Sequence, residues 1–406
     1  MSMRIDHVQN LYLSTTGAVN IAGSKEAKVE EKQGLTPQQA KAKLDKIRGY
    51  YQHAMNNGYA LGAFNFNELI SLQGLVEAAN KANAPCIFQI SQGARKFANE
   101  DSLIGMFEAA RKQIKVPVML HLDHGTDCET CLSCIDQGYD SVMIDASKHD
   151  FATNVKMTKE VAEYGHARGV FVEGELGKIQ GQEDNVISKE QLYTDPDEAA
   201  EFVSQTGCDS LAVSVGTKHG NVKFSEDETP ALDFDRIKAI QEKIETRLRA
   251  EGKLGANEHY PLVLHGASSV PADLIERVNK YVLVPRTLFN QVRSDETVKQ
   301  EYRDELNKYD KSVKGKGVSE DLYNRAVKEF KMAKINVDTD FRLAYTAAIR
   351  DFMINNYPKY TPRDYLKPAR QATTEIALRK LDMMNATGKA VGLPMVGDDS
   401  VFTATA

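Results

Sequence analysis

Eight apolar runs of strand length recur along this chain, and segments of helix length separate most of them. The runs are continuous rather than alternating, which is typical of strands that are covered on both faces. Repeated strand–helix units favour a (β/α)8 TIM barrel of the α/β class, and favour a doubly wound open sheet less strongly. The predicted strands lie near residues 61–66, 86–90, 116–122, 141–145, 169–173, 210–215, 261–264 and 333–337.

The barrel does not account for all 406 residues of the chain. We expect an N-terminal extension over residues 1–35, the barrel domain over 36–385 and a C-terminal tail over 386–406. A helix is predicted from Thr36-Pro37 to about Asn57, because a threonine cap followed by proline is typical of a helix start. The charge-rich stretch 286–317 is interpreted as an exposed helical insertion before the eighth strand.

Composition excludes several classes of function. The net charge is −6 with both signs interspersed, so a nucleic-acid partner is not expected. Apolar runs stay well short of the roughly 18 residues of a membrane helix. The first residues lack an apolar secretory core. Five cysteines, an odd number, favour reduced thiols. We therefore expect a cytoplasmic protein without membrane partners.

Four of the apolar runs end at a histidine or glutamate with glycine close behind: His124, Glu175, His219 and His265. The C-terminal ends of the strands form the catalytic rim of a TIM barrel. Three imidazoles and one carboxylate at this rim are a suitable zinc set that leaves room for a substrate. A lone histidine after a strand is more often a hydrogen-bonded rim residue, and it is the repetition that favours a metal.

Seven motifs, in order along the chain, resemble those of the class II, metal-dependent fructose-bisphosphate aldolases. They are GAFN at 62–65, LDHG at 122–125, SVMIDAS at 141–147, EGELG at 173–177, GTKHG at 216–220, LHGASSVP at 264–271 and KINVDTD at 334–340. The likeness runs from about residue 40 to 385. The DTDFR segment at 338–342 is most similar to the B subgroup, which includes fructose- and tagatose-bisphosphate aldolases.

The resemblance implies reversible aldol cleavage of fructose 1,6-bisphosphate to dihydroxyacetone phosphate and glyceraldehyde 3-phosphate. It assigns one catalytic Zn²⁺ to His124, His219 and His265. Glu175 is implied as a ligand of the resting state, and Asp145 as an alternative metal position. Cleavage leaves negative charge where a carbon–carbon bond was, and a Lewis-acidic metal spreads that charge.

Two carboxyl groups are implied as proton carriers in this reaction. Asp123 matches the family's acid that exchanges a proton with the oxygen at the cleaved bond. Glu183 matches the glutamate of a mobile loop, which moves the proton at the enediolate carbon. The neighbouring Gln182 and Asp184 leave an ambiguity of one residue.

The resemblance also implies a set of substrate contacts. One phosphate is expected near Gly220, Lys223, Gly266, Ser268, Asn336 and Thr339. Ser91 and Arg342 match contacts to the far phosphate, while Asn65 and Asp338 match contacts to hydroxyl groups. Carbonyls around Lys218, Gly220 and Gly266 match a site for a monovalent cation, Na⁺ or K⁺. A homodimer or homotetramer is expected.

Other functions stay open at this point. Tagatose and sedoheptulose bisphosphates are alternative substrates, and no residue decides among the ketoses. A zinc hydrolase on the same barrel favours a His-x-His pair after the first strand, and residues 63–66 contain none. An inactive scaffold or an iron–sulfur protein is the remaining alternative, since Cys128, Cys131 and Cys134 have a suggestive spacing. We interpret these cysteines as core residues of a helix, and His121 as structural.

Overall fold

Eight parallel strands close into a barrel in the computed structural model, which confirms the predicted TIM barrel. The structure describes residues 35–179, 192–218, 231–269, 317–356 and 358–397, the single residues 274, 277 and 300, and the backbone of 181–183 and 186–188. The strands are β1 (Leu61–Asn65), β2 (Cys86–Ser91), β3 (Val118–Gly125), β4 (Ser141–Ile144), β5 (Phe171–Leu176), β6 (Gly181–Glu183), β7 (Val186–Ser188), β8 (Ser210–Val213), β9 (Leu262–Leu264) and β10 (Lys334–Val337).

The barrel strands follow the order β1-β10-β9-β8-β5-β4-β3-β2. The remaining strands, β6 and β7, form a separate antiparallel pair. Every barrel strand is buried along its whole length, which explains why the apolar runs do not alternate with polar residues.

Helices pack around the barrel, and several begin at a polar capping residue. The described helices are α1 (Pro37–Asn56), α2 (Leu69–Ala82), α3 (Gln92–Ala98), α4 (Glu100–Arg111), α5 (Cys128–Asp136), α6 (Phe151–His166), α7 (Pro196–Thr206), α8 (Phe234–Ala250), α9 (Glu320–Lys328), α10 (Thr339–Asn355) and α11 (Pro362–Met383). The helix predicted after Thr36 is confirmed as α1. It begins with a capping box, in which Thr36 and Gln39 bind each other's backbone N–H groups.

Helix α1 packs near the N-terminal ends of the strands, opposite the catalytic rim. Tyr50 and Tyr51 are fully buried, and the Tyr51 ring stacks on Phe171 with ring centroids 4.3 Å apart. At the same end Arg48 lies 2.6 Å from Asp209, which directly precedes β8. These contacts attach α1 to the N-terminal end of the barrel. The C-terminal ends of the strands, where the polar site residues lie, are at the opposite end.

Several predicted segments fall partly or wholly outside the described residues. Residues 1–34 are outside, and so is the 286–317 insertion except for positions 300 and 317. At the other terminus, the N–H groups of Gly388 and Ala390 donate to the carbonyls of Ala82 and Asn83 at the end of α2, so the start of the predicted tail packs on the barrel domain. None of the helices in the described part is long and apolar enough to cross a membrane.

Candidate active site at the strand ends

The backbone of β3 brings two neighbouring residues, Asp123 and His124, into one site. On a regular strand, successive side chains point to opposite faces. Here the register between β3 and β4 shifts between Leu122 and Gly125. His124 adopts a left-handed backbone conformation with a φ of 51°, at a cost of roughly 1–3 kcal/mol. The irregularity turns His124 toward the rim beside Asp123.

Two histidines face each other at this rim. The Nε2 atom of His124 lies 3.0 Å from the Nδ1 atom of His265, and an Asp123 oxygen belongs to the same group of donor atoms, all within 4.8 Å. His265 directly follows the apolar strand β9, so its ring stands where the strand ends. All three side chains are buried.

The protonation of His265 makes this geometry suitable for a cation. Its Nε2–H donates to a Glu173 oxygen 2.8 Å away, so the lone pair lies on Nδ1 and points toward His124. Burial lowers the pKa of His265 despite the nearby carboxylate, which keeps the ring neutral as a metal ligand must be. Two zinc-bound nitrogens are about 3.3 Å apart in tetrahedral geometry, close to the observed separation. The donor set therefore fits a metal ion.

Two carboxylates lie on the other side of His124. Its Nδ1 atom is 3.1 Å from an oxygen of Asp145 and 3.8 Å from one of Glu175, and these three side chains form a second candidate metal group. Burial lowers the pKa of His124, but the hydrogen bond to Asp145 and the nearby carboxylates outweigh burial and hold it well above its usual value, so a metal ion bound at His124 would displace a proton from the ring. Burial likewise raises the pKa of Asp145, yet His124 and Ser147 bring it below its usual range.

A chain of hydrogen bonds runs from His265 into the barrel. The second oxygen of Glu173 accepts from Lys334 at 2.8 Å, and the Lys334 ammonium lies 3.0 Å from His121. The other ring nitrogen of His121 is 2.7 Å from the Ser141 hydroxyl. Burial raises the pKa of Glu173, but the Lys334 charge and the hydrogen bond from His265 bring it below its usual value. Glu173 is therefore an anion that fixes the orientation of His265.

Asp123 is held by amide groups on two strands, and one of these amides is fixed in turn by a third strand. Asn65 donates to one of its oxygens at 2.8 Å, and Asn336 donates to the other at 3.1 Å. Gln89 in turn donates to the Asn65 carbonyl at 2.6 Å, which turns the amide N–H of Asn65 toward Asp123. The carboxylate is thus fixed beside the two histidines.

Several predicted substrate contacts lie around this group. Gly266 has a φ of 63°, which suits glycine and lets the chain turn away after His265. Ser268 is buried two residues further on. Arg342 forms an ion pair with Asp338 at 2.6 Å, and Thr339 is the first residue of α10. Ser91 caps α3 by accepting the Ala94 N–H.

Other predicted residues cannot be placed. His219, Gly220 and Lys223 lie outside the described residues, so only two of the three predicted histidine ligands are seen together. Of Glu183 only the backbone is described, and it pairs with Val186 in the β6–β7 hairpin. The hairpin shows that the predicted polar loop has regular backbone structure near this glutamate.

Three further residues belong to the site although the sequence did not predict them: Glu173, Lys334 and Gln89. Glu173 and Lys334 stand two residues before Glu175 and Asn336 on their strands, so they share a face with predicted site residues. That spacing is a signal that reveals both residues. Cys131 and Cys134 are buried free thiols inside α5, in keeping with a packing role.

Comparison with known proteins now identifies the family. The sequence matches the family described as Fructose-bisphosphate aldolase class-II over residues 45–389. A fructose-bisphosphate aldolase of Treponema pallidum (strain Nichols) is 36% identical over 365 residues, which cover 86% of this chain and 98% of the relative. The chain belongs to the class II fructose-bisphosphate aldolase family. A Giardia intestinalis fructose-bisphosphate aldolase is 38% identical over 348 residues, which cover 86% of this chain and 94% of the relative.

Solved structures of aldolases have a similar fold. The crystal structure of the YdjI aldolase from Escherichia coli K12 has a TM-score of 0.61 at 27% identity, and the match covers 85% of this chain and 98% of that one. Class II aldolases depend on a metal ion, and the described part of this chain contains two groups of side chains around His124 that are able to bind one.

Proposed function

We propose that the protein catalyses the reversible aldol cleavage of fructose 1,6-bisphosphate to dihydroxyacetone phosphate and glyceraldehyde 3-phosphate. The observation that carries this proposal is the buried group formed by Asp123, His124 and His265, which combines metal-ligand atoms with a carboxylate. Relatives named as fructose-bisphosphate aldolases, which align over most of the chain, support this substrate over tagatose and sedoheptulose bisphosphates.

The metal in this proposal is Zn²⁺, held by His124, His265 and His219. Glu175 is proposed as a ligand of the resting state, although the structure groups it with Asp145 near the Nδ1 atom of His124 and not with His265, so it would have to move to join the same ion. Asp145 offers an alternative position beside His124. When bound, the ion supplies Lewis acidity that spreads the negative charge developed on cleavage. Glu173 supports the site by accepting the Nε2–H of His265, which keeps the Nδ1 lone pair directed at the metal position.

The two proton transfers belong to Asp123 and Glu183. Asp123 accepts hydrogen bonds from Asn65 and Asn336, so its carboxylate is held still beside the histidines. It exchanges a proton with the hydroxyl or aldehyde oxygen at the cleaved bond. Glu183, in the segment that follows β5, moves the proton at the enediolate carbon. Separate groups suit the two protons because the atoms involved end up in different products.

The phosphates are held on either side of this centre. Gly266 directly follows a metal ligand, so the phosphate near Gly266 and Ser268 belongs to the half of the substrate that binds the metal. Gly220, Lys223, Asn336 and Thr339 complete this phosphate site. Ser91 and Arg342 hold the far phosphate, and Asn65 and Asp338 contact hydroxyl groups. Carbonyls around Lys218, Gly220 and Gly266 bind a monovalent cation.

Chelation followed by metal replacement tests the proposal. A chelator is expected to abolish cleavage while the circular dichroism spectrum stays that of the folded barrel, because the metal completes a site rather than a core. Zinc is expected to restore activity, and fructose 1,6-bisphosphate to give the highest kcat/KM of the three ketose bisphosphates. Full activity without metal, with a lysine trapped by borohydride in the presence of substrate, indicates Schiff-base chemistry instead.

Two further expectations stay predictions. A homodimer or homotetramer is tested by sedimentation, and a cytoplasmic location by cell fractionation. The absence of nucleic-acid and membrane partners is tested by binding assays on the purified protein.

A further inference from the structure

The loop that follows β9, residues 266–269, is held by contacts from the C-terminal helices. We call this segment the post-β9 loop. One oxygen of Asp340, in the first turn of α10, accepts both the backbone N–H of Ser269 at 2.9 Å and its hydroxyl at 3.1 Å. The Lys380 ammonium, near the end of α11, donates to the same hydroxyl at 2.6 Å and lies 2.5 Å from the same Asp340 oxygen. Ser269 is thus hydrogen-bonded to both members of a buried ion pair.

The charges of this pair are completely removed from solvent. The side chains of Asp340 and Lys380 are both 0% exposed. The ammonium also lies over the Tyr323 ring, 5.2 Å from its centroid. A buried ammonium is tolerated only where an anion and hydrogen-bond acceptors surround it. Burial lowers the pKa of Lys380 while Asp340 opposes that shift. Movement of Ser269 would leave these charges with fewer partners, so the pair resists displacement of the loop.

Two further contacts fix the backbone of the same loop. The Tyr323 hydroxyl, on α9, donates to the carbonyl of Ala267. Gly317 approaches so closely that a Cβ atom there would lie 2.2 Å from the Ser268 carbonyl oxygen. Positions 267, 268 and 269 are therefore each contacted by a different part of the C-terminal region. Ser268, between the two hydrogen-bonded positions, is the residue assigned above to the phosphate.

We propose that Lys380 is a positioning residue for phosphate binding, which acts through Asp340 and Ser269 to hold the post-β9 loop in its binding conformation. The inference rests on the proposed function, because that function places a substrate phosphate at Gly266 and Ser268. Pre-ordering a binding loop improves affinity, since the loop does not lose freedom when the ligand binds. Lys380 touches neither the metal-binding histidines nor Asp123, so its effect is confined to the phosphate.

Lys380→Met tests the inference, because methionine keeps the length and apolar stem of the side chain and removes the charge. The probe is dihydroxyacetone phosphate, titrated calorimetrically into the zinc-loaded protein, together with KM and kcat for the bisphosphate. We expect Kd and KM to rise about 10- to 100-fold, by analogy with the loss of residues that orient metal ligands. The zinc content and kcat at saturation are expected to change little. Unchanged affinity in a folded variant overturns the inference, and so does a loss of zinc.

Matched variants keep the outcome interpretable. Arg48→Met breaks another ion pair with a buried carboxylate, that of Asp209, at the far end of the barrel. This variant is expected to have a lower Tm but an unchanged affinity for dihydroxyacetone phosphate. Lys380→Arg keeps the charge and is expected to recover part of the affinity. Should Lys380→Met not fold, Ser269→Ala removes only the hydroxyl, and normal affinity in that variant overturns the inference.

Ser268→Ala separates this inference from the proposed function. Weaker binding in Ser268→Ala with normal binding in Lys380→Met contradicts the positioning role alone. Normal binding in both variants contradicts the phosphate assignment itself.

Discussion

Two lysines are fully buried in the described part of the chain, and each pairs with a carboxylate in a different layer of the protein. Lys334 lies inside the barrel, 2.8 Å from Glu173 on a facing strand. Lys380 lies in the layer of helices, 2.5 Å from Asp340. Each of these four side chains is 0% exposed. In the inner pair, Lys334 and Glu173, the carboxylate accepts a hydrogen bond from the His265 ring. In the outer pair, Lys380 and Asp340, the ammonium donates one to the Ser269 hydroxyl.

This contrast indicates how one short segment can serve both proposed ligands, the metal ion and the phosphate. His265 and Ser269 are only four residues apart, yet one is oriented from within the barrel and the other from outside. The inner pair is joined to strands, whose backbone is fixed by neighbouring strands on both sides. The outer pair acts on a loop, whose conformation depends on side-chain contacts. Metal binding and phosphate binding should therefore respond separately to mutation.

The largest effect is expected at Asp123, the carboxylate beside His124 and His265. Asp123→Ala should lower kcat roughly 10²- to 10⁴-fold, as is typical when a general acid or base is lost. The shape-matched Asp123→Asn should lose a similar amount, because an amide cannot carry the proton. Zinc should be retained in both variants, and solvent deuterium exchange into dihydroxyacetone phosphate should survive better than cleavage. Loss of zinc would instead make Asp123 a ligand.

Glu183→Ala is expected to lose as much activity as Asp123→Ala, but in the transfer of the proton at the enediolate carbon. This variant should lose deuterium exchange into dihydroxyacetone phosphate, because that proton belongs to the enediolate carbon, and the loss is again roughly 10²- to 10⁴-fold. Asp184→Ala is the matched control and should exchange normally. The reverse pattern, with exchange lost only in Asp184→Ala, would move the assignment by one residue.

Lys334→Met tests the inner pair directly. It leaves the Glu173 carboxylate buried without its cation, which costs on the order of 3–5 kcal/mol of unfolding free energy. Zinc affinity should also fall about 10- to 100-fold, because a buried carboxylate that has lost its cation tends to take up a proton, and a protonated Glu173 accepts the Nε2–H of His265 less strongly. Denaturant unfolding and a zinc competition assay measure the two effects. The double variant Glu173→Gln/Lys334→Met should recover stability, and a single variant with full zinc affinity would contradict the role of the pair.

Arg342→Ala tests the far phosphate, which neither lysine pair supports. Loss of a charge-assisted contact is on the order of 2–3 kcal/mol, so kcat/KM for the bisphosphate should fall roughly 30- to 150-fold through KM. The zinc content should not change. Arg277→Ala, which removes an arginine from a pair with Asp351, serves as the control and should have normal kinetics. Unchanged kinetics in Arg342→Ala would show that this assignment is wrong.

The smallest effect is expected at the base of the barrel. Burial raises the pKa of Asp209, but His166 and Arg48 bring it below its ordinary value. A carboxyl with a lowered pKa contributes stability above its unfolded pKa of about 3.9 and loses that contribution as pH falls. Asp209→Asn should therefore be about 1–2 kcal/mol less stable near neutral pH, with the difference shrinking below about pH 4. Unfolding at several pH values measures this, and a constant difference would contradict it.

The strand pattern was sufficient to predict the barrel, because strands buried on both faces leave continuous apolar runs. Two of the predicted rim histidines, His124 and His265, lie at the strand ends where the same pattern puts them, whereas His219 lies outside the described residues. The bend at His124 was not predictable, since a register shift leaves no mark in the composition of the strand. The pairing of Glu173 with Lys334 was also missed, because it depends on which strands meet across the barrel.

Lys380 shows a different limit of sequence reasoning. A lysine in a charged helix is normally interpreted as part of a solvated face. Its position is nonetheless in helical phase with the buried Thr373, Ile376 and Ala377 of α11. The cation is tolerated there because of contacts with residues far away in the sequence, above all Asp340, forty positions earlier, and Ser269.

The left-handed backbone at His124 has a consequence for protein engineering. Transplanting the rim side chains onto a regular strand of another barrel would send the Asp and His of the pair to opposite faces. A transplanted site therefore needs the distorted end of β3 together with β4, the neighbouring strand whose pairing accommodates the register shift. A β-branched residue at position 124 would be a poor intermediate in any stepwise redesign, because such residues are strongly disfavoured at positive φ. Laboratory evolution of a new metal site on this scaffold should accept changes at the partners of His124 before it accepts them at His124 itself.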